Sequence, residues 1–279
     1  MVNIGYRSAR LKGKLARHLY EQNIDQRLRV PIENFTRLNC SVYCLSCARD
    51  FPEQVANIRS FFKYVGIPEK YVVVADGYSL EQQKFLYQLH ACLKVVPLPD
   101  FIGQELPQQV YDYAASNGMG KKLATILSIP IGKGSIYTDS DVLFFPGGGE
   151  LTELINANDT QSYYLPDADP AFDLRILQET ERDNPVNGGF ILFKHQPDWS
   201  LAMERFLNLQ DPPNYFTEQT MMHLTLHRDN AKPLPKDKYI MWRDDEFIFR
   251  DRYAKDTTVL RHYVTPVRHK FWCNWQYLA

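Results

Sequence analysis

Nowhere do these 279 residues approach the roughly 20 consecutive apolar residues that a bilayer span requires. The first 20 residues are basic and broken by polar positions, unlike a secretory leader, so a cytoplasmic protein is expected. An excess of charge of either sign is also missing: 32 Lys and Arg stand against 33 Asp and Glu. No global field therefore favours nucleic acid or an acidic polymer, and only local patches can matter. Cysteine is sparse, and Cys40, Cys44, Cys47, Cys92 and Cys273 form an odd set in a chain long enough to need no staples, which fits reduced thiols. The first three suggest a zinc cluster only superficially. No second Cys or His pair has matching spacing, and a strand turns Cys44 and Cys47 to opposite faces.

What is present is an alternation of strand and helix patterns. With 44% hydrophobic and 23% charged residues the chain can bury a large core, and α/β chains of this length often form one body. Residues 41–48 and 71–75 read as buried strands, 52–64 as a helix with Pro52 early, and Ser79 caps a helix to about His90 before a third strand at 92–97. Such alternation predicts a parallel sheet with right-handed crossovers. A loop rich in Pro, Gln and Asp follows. Asn117-Gly118-Met119-Gly120-Lys121-Lys122 then opens a helix, but a Walker loop is excluded because Ala115 stands where its first glycine belongs and Lys122 where Ser or Thr should be. Lys121 and Lys122 either reach a diphosphate or are solvated.

The stretch Gly134 to Gly148 organises the rest. Ile136 and Tyr137 end in Asp139-Ser140-Asp141, and a second apolar run, Val142 to Phe145, precedes Pro146 and three glycines. This delivers two carboxylates to the carboxyl end of a buried strand, the edge that borders the ligand crevice of an open α/β sheet. Two acids so placed need a cation or a set of donors to neutralise them. Hard oxygen ligands suit Mg²⁺ or Mn²⁺ and a metal-bridged diphosphate; a solvated turn is the competing reading.

Further along, a strand at 161–165 leads to Asp167 and Asp169 in a loop, and Asn187-Gly188-Gly189 reads as a turn feeding a buried strand. Paired glycines there allow close approach of a ligand or simply a hairpin. Thr217 can cap a helix that presents Glu218 and Gln219 in its first turn. His223 and His227 lie one turn apart but lack the HExxH glutamate, so packing is their expected role. His262 follows in a late strand. At the other end, residues 6–20 carry Arg7, Arg10, Lys12, Lys14 and Arg17, with Leu11, Leu15 and Leu19 at helical spacing. The leucines are expected to pack this arm on the parent body; the alternative is a helix lying on an anionic membrane surface.

Taken in order, YTDSDVLFF, an acidic loop, NGGFILFK, a Thr-Glu-Gln helix start, LRHY and HKFW resemble the GT-A fold nucleotide-sugar glycosyltransferases, most of all glycosyltransferase family 8, over about residues 40–273. The resemblance implies an α/β fold with a mixed, mainly parallel sheet flanked by helices in a single domain, with residues 1–38 as a basic arm and 39–279 as the catalytic body. It implies Asp139, Asp141 and His262 as ligands of Mn²⁺ or Mg²⁺, Asp139 being shared with the nucleotide ribose. Donor contacts carried over are Ser46, Cys47, Ala48, Arg49, Asp76, Lys121, Lys122 and Ser140, with Asn187, Gly188 and Gly189 beside the sugar. Lys270 and Trp272 match a late Lys-Pro-Trp element that grips the diphosphate, although Phe271 replaces Pro and the gap from His262 is longer. Gln219 matches the family's glutamine, which implies a place near the anomeric carbon, and Glu218 replaces the family's Asp.

The expected reaction is transfer of a hexose from a UDP-sugar to a carbohydrate or lipid-linked acceptor, with no nucleic acid partner; peripheral contact at an inner membrane face belongs to the alternative in which the basic arm lies on a membrane. Retention needs no strong base and accepts a neutral Gln219; inversion would need Asp167, Asp169 or Glu218 to deprotonate the acceptor. Two other classes stand beside it. A sugar nucleotidyltransferase would carry glycines straight after the first strand, which SCARDFP lacks, and a non-catalytic carbohydrate binder has no need of both acids.

Overall fold

A computed structural model describes residues 3–34, 36–132, 134–241 and 245–278. Helices α1 (Ile4–Gln22) and α2 (Gln26–Arg29) precede β1 (Arg37–Cys47), α3 (Phe51–Tyr64), β2 (Ile67–Asp76), α4 (Leu80–Leu89) and β3 (Leu93–Pro97). Next come α5 (Leu98–Phe101), α6 (Gln108–Ser116), α7 (Gly118–Leu127), β4 (Ser135–Thr138), β5 (Val142–Phe144), α8 (Gly149–Asn156), β6 (Tyr163–Pro166) and β7 (Val186–Phe193). The chain ends with α9 (Ser200–Leu207), α10 (Thr217–Arg228), β8 (Lys232–Pro233), β9 (Tyr239–Ile240), β10 (Leu260–His262) and α11 (Trp275–Leu278).

Seven strands form one sheet in the order β3-β2-β1-β4-β7-β6-β8. The four strands from β3 to β4 run parallel, and β7 is antiparallel to both neighbours, so the sheet is mixed and mainly parallel. Successive residues face opposite sides. Val42, Cys44, Val73, Ile136, Phe190 and Leu192 meet Phe61 and Phe62 of α3 on one face. Tyr43, Val72, Val74, Tyr137, Ile191 and Phe193 meet Ile126 of α7 and Met222 and Leu226 of α10 on the other. Burial on both faces is why YVVVA reads as an unbroken apolar run.

A smaller sheet, β5-β10-β9, sits beside the end of β4. α3 holds the connection between the two sheets. Asn57 Nδ2 donates to the carbonyls of Asp139 (3.2 Å) and Val142 (2.8 Å), and Ser60 Oγ accepts from the Phe144 amide (3.2 Å). Ser79 caps α4 reciprocally with Gln82, as its sequence pattern predicts.

Several expectations are corrected. Residues 108–116 form α6 rather than loop: Val110, Tyr113 and Ala114 are buried, but one amphipathic stretch of this length after Pro107 is a weak signal in sequence. Asn187, Gly188 and Gly189 lie inside β7, not in a turn before it. Thr217 does not cap α10; its hydroxyl donates to Asp173 (2.6 Å) and accepts from the Asn214 amide (2.8 Å). The arm leucines do not pack inward. Ala9, Gly13, Ala16 and Tyr20 face the body instead, while Leu11, Leu15 and Leu19 are exposed. All five cysteines are unbridged, and His223 packs near Phe172 with its ring nitrogen at the Glu181 carbonyl.

α6 and α7 cross where Gly120 has no side chain; a Cβ there would stand 2.2 Å from the Tyr113 carbonyl oxygen. Gly120→Ala should force the two helices apart and cost roughly 1–3 kcal/mol of stability in urea unfolding. Stability equal to wild type would mean that the crossing is looser than described.

Candidate active site

A cleft of about 540 Å³ opens at the carboxyl ends of β1, β2 and β4. Ser46, Cys47 and Arg49 reach it from the end of β1 and Asp76 from the end of β2, while α7 contributes Lys121 and Lys122. Asp139, Ser140 and Asp141 form its floor. Asp167, Asn187, Gly188, Glu218, Gln219 and His262 complete the wall.

His262 reaches the acids because β10 pairs antiparallel with β5, placing His262 opposite Val142. Its Nε2 lies 3.1 Å from Asp141 Oδ1 and 3.5 Å from Asp139 Oδ2. Its Nδ1 lies 2.8 Å from Asn187 Oδ1. An amide oxygen can only accept, so Nδ1 carries a proton and the ring is held with Nε2 turned toward the carboxylates. The Asn187 amide donates to Asp167 Oδ2 (3.1 Å), which also accepts from Gln219 Nε2 (3.1 Å). Gly189 makes room for this arrangement, since a Cβ there would stand 2.2 Å from His262 Nδ1.

Asp139 is held from two sides, by the Tyr137 hydroxyl on Oδ1 and the Lys122 ammonium on Oδ2, each at 2.8 Å. One ligand atom from each of Asp139, Asp141 and His262 falls within a 4.8 Å cluster, the one such group among the described residues. Two carboxylate oxygens and a neutral imidazole nitrogen fit Mn²⁺ or Mg²⁺ with positions left for phosphate oxygens.

The electrostatics follow from crowding. Burial would raise the Asp141 carboxyl, but His262, Arg268 and Lys122 outweigh it and hold the group below the usual carboxylate range. Burial likewise disfavours the Lys122 ammonium, yet Asp139 and Glu218 keep it charged and raise its pKa. Glu218 is pushed up to about 7 by burial, with Asp139 adding and Lys122 opposing. Its Oε1 has no hydrogen-bond partner among the described residues.

Five residues from the sequence reading stand outside the cleft lining, one of them Asp169, whose amide donates to Asp167 Oδ1 (3.3 Å). The Ala48 carbonyl accepts from Gln82 Nε2 (3.1 Å), and Gly189 lies behind His262. Lys270 is fully buried, its Nζ donating to the Arg250 carbonyl (2.6 Å) and pairing with Asp245 (3.1 Å). Trp272 packs against Tyr20 of α1, the ring centroids 4.9 Å apart and the planes tilted by 51°. Arg268, two residues before Lys270, occupies the cleft instead, 3.6 Å from Asp141 and 3.0 Å from Asp50. It was missed because three basic residue types adjoin at 268–270 and spacing alone does not choose among them. Tyr215 and Phe216, exposed aromatics in the cleft wall, carried no signal either.

No protein-family model and no curated protein matches this sequence. Its shape does match solved structures. The galactosyltransferase LgtC, solved with donor and acceptor sugar analogues, is similar at a TM-score of 0.53 and 13% identity, covering 85% of this chain and 94% of that one. The fold is that of the GT-A glycosyltransferases. Mouse xyloside xylosyltransferase 1 is similar at 0.51 and 13% identity, over 83% of this chain and 99% of that one. GlyE of Streptococcus pneumoniae is similar at 0.53 and 13% identity, over 86% of this chain and 60% of its own. At such identities the GT-A likeness is one of architecture, and the chemistry rests on the side chains themselves.

Because Glu218 holds its proton more tightly folded than unfolded, its contribution to stability is greatest below about pH 4.5 and is lost as pH rises through about 7. Glu218→Gln should remove this slope, leaving the variant more stable than wild type at pH 8 by about 3 kcal/mol at most. Parallel stability curves for the two proteins from pH 4 to 8, obtained by denaturant titration without metal, would refute the assignment.

Proposed function

We propose that this chain is a metal-dependent glycosyltransferase that moves a hexose from a UDP-sugar to a hydroxyl acceptor with retention of anomeric configuration. The convergence of Asp139, Asp141 and His262 at the carboxyl edge of the sheet carries the reading. Residues 39–279 form the catalytic body in this reading, with 1–38 as an arm outside the chemistry.

A bound Mn²⁺ or Mg²⁺ would neutralise the charge that builds on the departing diphosphate. The chain's own contribution is to aim cations at the same charge. Lys122 stays protonated beside Asp139, and Arg268 lies beside Asp141, so both act on the leaving group without the reorganisation water would need. Ser46, Cys47, Arg49 and Asp76 at the ends of β1 and β2 receive the nucleoside, with Lys121 paired to Asp76 at 2.7 Å. Asn187 and Gly188 border the sugar. Gln219 commits its amide donors to Asp167 and to the Ala171 carbonyl (3.2 Å), so it offers its amide oxygen to a sugar developing oxocarbenium character.

Inversion has one specific support. Glu218, with a pKa of about 7 and an unpartnered oxygen, meets the description of a base for an acceptor hydroxyl. Product anomer analysis by NMR separates the two outcomes. The acceptor hydroxyl belongs to a glycan or a lipid-linked sugar, and the protein works in the cytoplasm, at the inner membrane face where the acceptor is lipid-linked. No helix among the described residues is long and apolar enough to cross a membrane.

Titration calorimetry of UDP with and without Mn²⁺ is the direct test. Binding should require the metal, and Asp141→Ala or His262→Ala should weaken it by roughly tenfold or more while circular dichroism stays native. Preference for a nucleoside triphosphate would favour the nucleotidyltransferase, and no binding the non-catalytic alternative. A screen of nucleotide sugars for Mn²⁺-dependent release of free nucleotide then identifies the donor.

A further inference from the structure

α1 wears its apolar residues on the wrong side for an ordinary surface helix. Ile4, Leu11, Leu15 and Leu19 are 78%, 60%, 56% and 52% exposed, and at 100° per residue they share one stripe. The face turned to the body carries Ala9, Gly13 and Ala16, with Tyr20 buried at its end. Gly13 lies so close to the turn at Arg268–Cys273 that a Cβ would stand 2.5 Å from the His269 carbonyl oxygen. Arg17 fixes the rotation by binding Glu53 (2.8 Å) and the Arg49 carbonyl. The leucines therefore cannot roll inward.

The surroundings of the stripe indicate what covers it. Arg7 and Lys14, four residues before and three after Leu11, border one side, and Lys12 borders the other; all three are exposed. Glu21 is the helix's only acid. An exposed aromatic marks each end, Phe247 with its carbonyl beside Gly5 and Trp275 with its ring 6.4 Å from Tyr20. A two-fold contact between copies through α1 would set these cations against themselves. Apolar residues flanked by cations on a rigid helix suit the boundary of acyl chains and anionic headgroups.

We propose that α1 is the docking face of this chain for an anionic bilayer, with the leucine stripe at the acyl boundary and Arg7, Lys12 and Lys14 on lipid phosphates. A groove of about 650 Å³, lined by Arg10, Lys14 and Arg17 of α1 and by Arg49 and Arg268 of the cleft, then runs from the membrane surface to the donor site. Docking rests on the helix alone and stands or falls separately from the transfer reaction.

The intact chain should be sedimented with phosphatidylcholine vesicles that contain or lack phosphatidylglycerol. The wild type should partition onto the anionic vesicles and weaken with added salt. The exposed-site variants Leu11→Gln/Leu15→Gln/Leu19→Gln and Arg7→Glu/Lys14→Glu should each lose roughly tenfold or more in partitioning, with circular dichroism unchanged. The proposal is overturned if the wild type ignores anionic vesicles or binds neutral ones equally, or if either variant partitions like wild type. It is equally overturned if light scattering finds a wild-type dimer that the leucine variant splits, which would assign the stripe to a second copy.

Discussion

A three-residue strand sets the site. β10 runs antiparallel to β5 with His262 opposite Val142, and the Tyr263 amide donates to the Asp141 carbonyl at 2.9 Å. Because Asp141 immediately precedes β5, this pairing lays an imidazole beside the Asp141 carboxylate, 121 positions earlier in the chain, and beside that of Asp139. A slip of one residue would turn His262 to the opposite face and leave the acids facing each other. The neighbours are built around that register: Gly189 gives the ring its space, Asn187 orients it, and Asn57 holds the turn between the two acids from beneath.

The opposite face of β10 explains why the register does not slip. Arg261 is fully buried and bonds Asp245 and Asp251, and Asp251 also accepts from the Tyr263 hydroxyl (2.7 Å). Lys270 joins the same set through Asp245. Removing one member of such a buried network leaves its partner's charge uncompensated, so the pairs favour one arrangement of the strand over shifted ones. One side of β10 thus carries the chemistry and the other its anchor. Lys270, which by motif alone belongs to the phosphates, serves the anchor.

How much could be read beforehand follows from the range of the interactions involved. The central strands β2 and β4 of the parallel half were legible because both faces are buried, and α4 because Ser79 and Gln82 are local to each other. Asp139, Asp141 and His262 were legible as a set only through the order of motifs, since no local rule joins residues so far apart. α6 was hidden because its partner α7 supplies the close contact at Gly120. The arm is the sharpest case. Periodicity finds a leucine stripe but not which way it points; that was decided by Gly13 and Arg17, whose partners lie in other parts of the chain.

That seat has a structural consequence. Gly13 presses on the backbone of His269, and the preceding residue, Arg268, is the guanidinium beside Asp141. No flexible tether separates the two. The seat of α1 on the Arg268–Cys273 turn and the guanidinium at the rim of the cleft are therefore adjacent residues of one short segment.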